Sequence, residues 1–126
     1  MKIAVSGASG YIGHKLVLKF LEASCPVLAV TRCETESLRE LKKRYFNLLF
    51  ICELKRDDLS KMLQIFNPDV VYSTTCCYET DIDFLDKTID SNYAFPVELL
   101  KDCMHVGRII RFISVGTSLP PNLKLE

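Results

Sequence analysis

The chain has 126 residues, of which 48% are hydrophobic and 25% are charged, as is usual for one soluble globular domain. Sixteen Lys and Arg balance sixteen Asp and Glu, so no net field favours a polyanion and nucleic-acid binding is not expected. No segment approaches the roughly 18 apolar residues of a membrane span, and no signal-peptide pattern opens the chain. We therefore expect a cytoplasmic protein that does not bind membranes.

Five short apolar segments alternate with helical patterns along the chain. Strands are predicted at residues 2–6, 27–31, 48–52, 70–74 and 109–115. Helices are predicted from residue 11 towards Pro26, over 35–45, from an Asp57 or Asp58 cap to Phe66, and over 81–106 with a bend or restart near Pro96. This order predicts an α/β fold, a Rossmann-type doubly wound parallel sheet with strand order 3-2-1-4-5.

The first helix and the end of the chain carry two further expectations. Apolar residues at helical spacing are predicted to pack the first helix on the sheet, namely Ile12, Leu16, Val17, Phe20 and Leu21. Only a loop and four residues follow the fifth strand, so we expect a truncated sheet that stops at the edge of a further helix.

Three glycines separate the first strand from the first helix. Gly7 permits a tight turn, Gly10 allows the backbone to approach a pyrophosphate, and Gly13 allows the helix to pack closely. The amides from Ser9 to Ile12 are expected to face a bound phosphate. A glycine turn without a ligand is the alternative. The cofactor-binding residues predicted in this loop are Gly7, Ala8, Ser9, Gly10, Tyr11, Ile12 and Gly13.

The end of the second strand indicates which dinucleotide binds. An NAD site commonly has an acidic residue there for the adenine ribose, whereas this chain has Thr31 and Arg32. An arginine can pair with a 2′-phosphate, so the sequence favours NADP(H). NAD(H) stays open because Glu34 is close, and Arg32 could instead be a solvated loop residue.

These motifs resemble those of the extended short-chain dehydrogenase/reductases, the NAD(P)-dependent sugar epimerase/dehydratase group. The resemblance covers essentially the whole chain, with its motifs in the same order, and rests on residues 7–13 (GASGYIG), 67–71 (NPDVV), Asn92 and 112–117 (FISVGT). Within that group, 74–78 and 116–122 look most like CDP-paratose and CDP-abequose synthases. The resemblance implies an NADPH-dependent reduction of the 4-keto group of a CDP-dideoxyhexose. An epimerase or dehydratase of other specificity stays open, as does an oligomer.

The same resemblance implies roles for residues beyond the glycine loop. Glu53 and Leu54 match a pair that reaches the adenine amino group and covers the adenine ring. Thr75 and Cys76 match small residues beside the nicotinamide ribose, although simple strand packing is an equal alternative. Thr117 matches the catalytic Ser/Thr that hydrogen-bonds the substrate oxygen. Asn92 matches a helix asparagine that supports the active site, and it could equally face solvent.

The sequence departs from the family at its end. The general acid of the family is a tyrosine with a lysine four residues later, and no such pair follows Thr117. We therefore expect residues 1–124 to be the cofactor domain of a larger nucleotide-sugar enzyme, inactive alone, with 125–126 resembling a cloning remnant. The alternative is a non-catalytic dinucleotide-binding module. A Tyr-x-x-x-Lys encoded just after residue 126, or a stop codon there, would discriminate between them.

Metal chemistry has little support in the sequence. The six cysteines have no Cys-x-x-Cys spacing, so we expect them to be reduced. Neither His14 nor His105 is followed by a second ligand three or four residues later, and no metal site is predicted.

Overall fold

A computed structural model describes residues 1–75, 89–106 and 111–115. Its five strands are β1 (Ile3–Ser6), β2 (Val27–Thr31), β3 (Leu49–Glu53), β4 (Val70–Ser73) and β5 (Arg111–Ser114). All neighbouring strands are parallel, in the order β3-β2-β1-β4-β5. The predicted fold and strand order are therefore confirmed.

The helices are α1 (Tyr11–Glu22), α2 (Glu36–Arg44), α3 (Leu59–Phe66), a π-helical segment (Asp90–Ala94) and α4 (Phe95–Met104). Thr35 caps α2 by accepting the Leu38 amide, and Asp58 caps α3 by accepting the Lys61 amide. These short polar side chains fix where the two helices begin.

Pro96 is the second residue of α4, and the helical backbone is continuous there, because Ala94 and Phe95 both have right-handed helical torsion angles. The helix type changes from π to α at Phe95, beside the position near Pro96 where a bend or restart is predicted, and the described part of this helix does not restart there. Residues 81–88 of the predicted long helix lie outside the described residues.

The helices cover both faces of the sheet. One core cluster joins α1 and α2 to the sheet through Val17, Leu21, Leu38 and Leu41. The other joins α3 and α4 to the opposite face through Leu63, Phe66, Leu99 and Cys103. This three-layer arrangement is the doubly wound architecture.

Among the described residues, no helix combines the length and the apolar character needed to cross a membrane.

The prediction that Ile12 belongs to the buried stripe of α1 is wrong. The residues of α1 that are fully buried are Gly13, Val17 and Leu21, whereas Ile12 is 44% exposed. Helical residues one position apart point about 100° apart, so burying Gly13 turns Ile12 off the packed face. Ile12 instead lines the cleft described below.

Candidate functional site

A cleft of about 990 Å³ opens where β1, β2 and β4 end. The chain leaves β1 in one direction to β2 and enters β4 on the other side, so this is the point at which an open α/β sheet commonly binds ligands. The residues that line the cleft are Gly7, Ser9, Gly10, Tyr11, Ile12, Gly13, Val30, Thr31, Arg32, Cys33, Thr35, Leu54, Thr74, Thr75, Asp90 and Phe95.

Two glycines of the loop are required by packing. Gly7 has a φ of +72°, a conformation that side chains disfavour, and a Cβ there would lie 2.7 Å from the Thr74 hydroxyl oxygen. A Cβ on Gly13 would lie 2.7 Å from the carbonyl carbon of Gly7 and 2.8 Å from the Thr74 hydroxyl oxygen. The turn and the first turn of α1 therefore touch through backbone atoms, as the sequence predicts for Gly7 and Gly13.

The N-terminus of α1 faces the cleft without a side-chain cap. Gly10 is the N-cap residue, and the first helical hydrogen bond runs from the His14 amide to its carbonyl, at 2.9 Å. The amides of Tyr11, Ile12 and Gly13 consequently have no acceptor within the helix. Such uncapped amides, with the positive end of the helix dipole, suit a phosphate.

Two members of the predicted loop set are engaged inside the protein. Ala8 is fully buried, and its amide donates to the Val30 carbonyl at 3.2 Å. The Gly10 amide donates to the Gly7 carbonyl at 3.0 Å. The expectation that every amide from Ser9 to Ile12 faces a phosphate therefore needs correction at Gly10, because the tight turn uses that donor itself.

The loop after β2 brings Arg32 to the cleft. Thr31 is buried, and its hydroxyl donates to the Cys33 carbonyl at 2.8 Å, which bends the chain directly after the strand. Arg32 lines the cleft, but Glu34 is not among the lining residues. The Glu34 carboxylate lies 3.9 Å from the guanidinium of Arg39.

Glu53 and Leu54, which are predicted together as cofactor-binding residues at the end of β3, have different surroundings. Leu54 lines the cleft and donates its amide to the Thr31 carbonyl at 2.9 Å. Glu53 is not among the lining residues, and its carboxylate lies 3.9 Å from Arg56. The Asp57 carboxylate accepts the Glu53 amide, and its hydrogen bonds from Arg56 and from that amide lower the pKa of Asp57. The backbone amide of Glu53 is therefore bound by Asp57, and its carboxylate lies beside Arg56.

Thr74 and Thr75 follow β4 and meet the end of β1. The Thr74 hydroxyl donates to the Ser6 carbonyl at 2.6 Å, and the Thr75 hydroxyl donates to the Ser6 hydroxyl at 3.2 Å. Cys76 and Thr117 lie outside the described residues. Asn92 is exposed and is not among the lining residues of the cleft.

Several lining residues were missed by sequence reasoning, namely Val30, Cys33, Thr35, Thr74, Asp90 and Phe95. Thr74 could have been found from its position at the end of a strand beside the glycine turn. Asp90 and Phe95 reach the cleft from a distant segment, and no local pattern signals that placement.

One Tyr-x-x-x-Lys spacing does occur in the chain, at Tyr11 and Lys15 in the first turns of α1. The Lys15 ammonium lies 4.4 Å from the centre of the Tyr11 ring, which makes a cation–π contact. Tyr11 is 77% exposed at the glycine-turn side of the cleft. The pair therefore stands beside the uncapped amides of the helix start.

Among the described residues, no group of three His, Cys, Asp or Glu side chains could hold a metal ion.

Comparisons with known proteins agree with this geometry. The sequence profile of the NAD dependent epimerase/dehydratase family matches residues 3–121. UDP-glucuronic acid 4-epimerase from Bacillus cereus, solved in complex with NAD, is 28% identical, with a TM-score of 0.70 over 94% of this chain and 40% of that protein.

Two further structures share the fold. Serine dehydrogenase from Escherichia coli is 21% identical, with a TM-score of 0.78 over 93% of this chain and 62% of that protein. UDP-glucose 4-epimerase from Thermotoga maritima, solved with UDP-glucose, is 19% identical, with a TM-score of 0.71 over 90% of this chain and 37% of that protein. The chain thus spans less than half the length of both epimerases.

Proposed function

The chain belongs to the NAD dependent epimerase/dehydratase family, and we propose that residues 1–124 are the dinucleotide-binding domain of a nucleotide-sugar oxidoreductase. The observation that carries the proposal is the uncapped start of α1, which fronts a cleft at the carboxyl ends of the strands. The Bacillus cereus and Thermotoga maritima relatives, solved with NAD and with UDP-glucose respectively, support the cofactor class and the substrate class.

The residues of the cleft fit the parts of a nicotinamide dinucleotide. The amides of Tyr11, Ile12 and Gly13 would hold the pyrophosphate. Leu54 lines the cleft beside the end of β2 and would cover the adenine, while Thr75 and Cys76 would lie along the nicotinamide ribose. Once bound, the cofactor supplies or accepts a hydride, and the protein's part is to orient it.

We propose that Arg32 gives the cleft a preference for NADP(H). Its guanidinium is the cationic side chain of the lining set at the end of β2, where it can pair with a 2′-phosphate through two hydrogen bonds. The carboxylate that would favour NAD(H), Glu34, is near Arg39 and is not among the lining residues. Both observations favour the phosphorylated cofactor.

The narrower substrate proposal is a CDP-linked 4-keto-dideoxyhexose. It rests on the resemblance of residues 74–78 and 116–122 to the CDP-paratose and CDP-abequose synthases. In that reaction the Thr117 hydroxyl would donate a hydrogen bond to the carbonyl oxygen that gains negative charge. A chain that includes the substrate-binding part of the enzyme is needed to test it, with CDP-, UDP- and dTDP-linked 4-keto-sugars compared at equal concentration.

Calorimetric titration of the chain with NADPH and NADH tests the cofactor proposal. NADPH should bind more tightly, and Arg32→Asp should reverse the preference by roughly tenfold or more, since hydrogen bonds to charged groups contribute about 1.5–3 kcal/mol. Arg44→Asp is the matched control, because Arg44 is exposed in the last turn of α2 and is not a lining residue. Equal affinities would refute the preference, and the absence of binding would refute the dinucleotide proposal.

A further inference from the structure

We infer that Thr74 is a positioning residue that holds the glycine turn where the phosphate-binding amides need it. The inference rests on the proposed function, because it concerns the same cleft. Thr74 follows β4, which pairs with β1, and it is buried beside the turn. The family resemblance assigns no role to this residue.

Two donors of Thr74 converge on one carbonyl. Its amide lies 3.2 Å and its hydroxyl 2.6 Å from the carbonyl oxygen of Ser6, the last residue of β1. The same hydroxyl lies 3.4 Å from the carbonyl oxygen of Gly7. The strand end that leads into the turn is therefore anchored from the neighbouring strand by a side chain as well as by the sheet.

The Thr74 hydroxyl also occupies the space that the glycines leave. A Cβ added to Gly7 or to Gly13 would come within 2.7 or 2.8 Å of that hydroxyl oxygen. The Thr74 hydroxyl thus fits beside the turn only because positions 7 and 13 have no side chain. Interiors pack closely enough that a change in one part moves the other.

The position of the turn sets the position of the phosphate-binding amides. The Gly7 carbonyl accepts the Gly10 amide, and Gly10 is the N-cap residue of α1. A shift of the turn would carry the amides of Tyr11 and Ile12 with it. Electrostatic binding to fixed amides depends on their orientation, so the hydroxyl of Thr74 should affect cofactor affinity without touching the phosphates.

The test compares Thr74→Val, which keeps the shape and removes the donor, with Thr74→Ser, which keeps the donor. Ser73→Ala is the matched control, since Ser73 is the neighbouring buried hydroxyl and has no hydrogen-bond partner within the described part of the chain. NADPH affinity should fall roughly fivefold in Thr74→Val, the effect of one lost hydrogen bond. It should stay within about twofold of the wild type in Thr74→Ser and Ser73→Ala, below that single-bond effect.

Amide NMR shifts of Gly7, Gly10 and Gly13 without cofactor provide an independent readout. They should move in Thr74→Val and remain in place in Thr74→Ser. If Thr74→Val does not fold, Thr74→Ala replaces it, with the same expectations. Unchanged affinity and unchanged glycine shifts would overturn the inference. Failure of the wild-type chain to bind any dinucleotide would overturn the proposed function instead, and the glycine shifts would still decide the role of Thr74.

Discussion

Lys42 of α2 donates a hydrogen bond from its ammonium group to the carbonyl oxygen of Leu49, on the free edge of β3. The edge-facing residues of β3 follow from its pairing, because the Leu48 carbonyl accepts the Val27 amide of β2 and alternate residues face opposite neighbours. The Leu49 amide donates to the Tyr45 carbonyl at 2.8 Å. Both backbone groups of Leu49 are therefore occupied by α2 and its C-cap.

The same edge is occupied at its other end, where the Glu53 amide donates to Asp57 at 2.9 Å. Free strand edges are templates for pairing with another chain, and a lysine at the edge is a common protection. Between these two points only Ile51 offers edge-facing backbone groups with no partner among the described residues. The arrangement shortens the open edge to a single residue.

Replacing Lys42 by Met should open this edge while keeping the aliphatic stem. The variant loses the two hydrogen bonds that the ammonium donates to the Leu49 and Phe46 carbonyls. We expect a loss of about 1–2 kcal/mol in the free energy of unfolding, for partly exposed hydrogen bonds from a charged donor, and increased self-association. Light scattering at several protein concentrations measures the association. Lys43→Met is the control, since Lys43 is exposed and pairs with Glu40 at 3.7 Å. Equal association in both variants would contradict the protective role of Lys42.

Alanine at Gly13 and alanine at Gly10 should have different effects. Gly13→Ala gains about 1 kcal/mol of helix propensity, but its Cβ would collide with the Gly7 backbone, and overpacking costs about 1–3 kcal/mol or more. Because the obstacle is backbone rather than a flexible side chain, the collision should dominate. We expect a net loss of stability of about 1–2 kcal/mol, measured by urea unfolding.

Gly10→Ala should instead preserve the fold and weaken cofactor binding. The nearest atom to its added Cβ is the Gly7 carbonyl oxygen at 3.3 Å, and its φ of −77° suits any residue. The methyl group would intrude where the pyrophosphate approaches the backbone. A variant with normal unfolding and NADPH affinity reduced about tenfold or more, a cost of about 1.4 kcal/mol, is the expected result. Unaltered affinity would count against the position of the phosphate.

The sequence predicts those parts of the fold and of the candidate site that depend on residues close together in the chain. The strand 27–31 and the helix start at Asp58 agree with the prediction because apolar runs and caps are local patterns. Glu53, which the resemblance assigns to the adenine, is not among the residues that line the cleft, and its carboxylate lies 3.9 Å from Arg56. The strand pattern does not indicate which polar neighbour the side chain faces. Phe95 joins the cleft through the packing of a distant segment, which no local pattern encodes.

Burial should separate the reactivity of the cysteines. Burial, and then the nearby Asp57, raises the pKa of the Cys52 thiol to about 11, and burial followed by Asp102 raises the pKa of Cys103 to about 11. Cys33 is exposed in the cleft. Native alkylation at pH 8, followed by peptide mass spectrometry, should label Cys33 well before Cys52 and Cys103.

The same two thiols predict a loss of stability at high pH. Their folded pKa lies above the ordinary value of 9.0, so the folded state binds more protons between these values, and stability falls as pH rises from about 9 through 11. Urea unfolding at pH 8, 9 and 10 should show this slope. The double variant Cys52→Ala, Cys103→Ala controls for other titrating groups and should give a shallower slope; an identical slope would exclude the two thiols as its source.

The 126-residue chain should bind NADPH without oxidising it when a CDP-linked 4-keto-sugar is present. Hydride transfer builds negative charge on the carbonyl oxygen, which requires a proton donor of suitable pKa within hydrogen-bond reach. Thr117 can donate a hydrogen bond, but an aliphatic hydroxyl is too weak an acid to deliver the proton. Tyr11 has a lysine four residues later, yet the Lys15 ammonium lies over its ring and the pair stands beside the amides for which we propose phosphate binding. We expect no loss of NADPH absorbance above the buffer control, and the same result for Tyr11→Phe. Turnover on the order of 1 per second that Tyr11→Phe abolishes would identify Tyr11 as the acid and contradict this assignment.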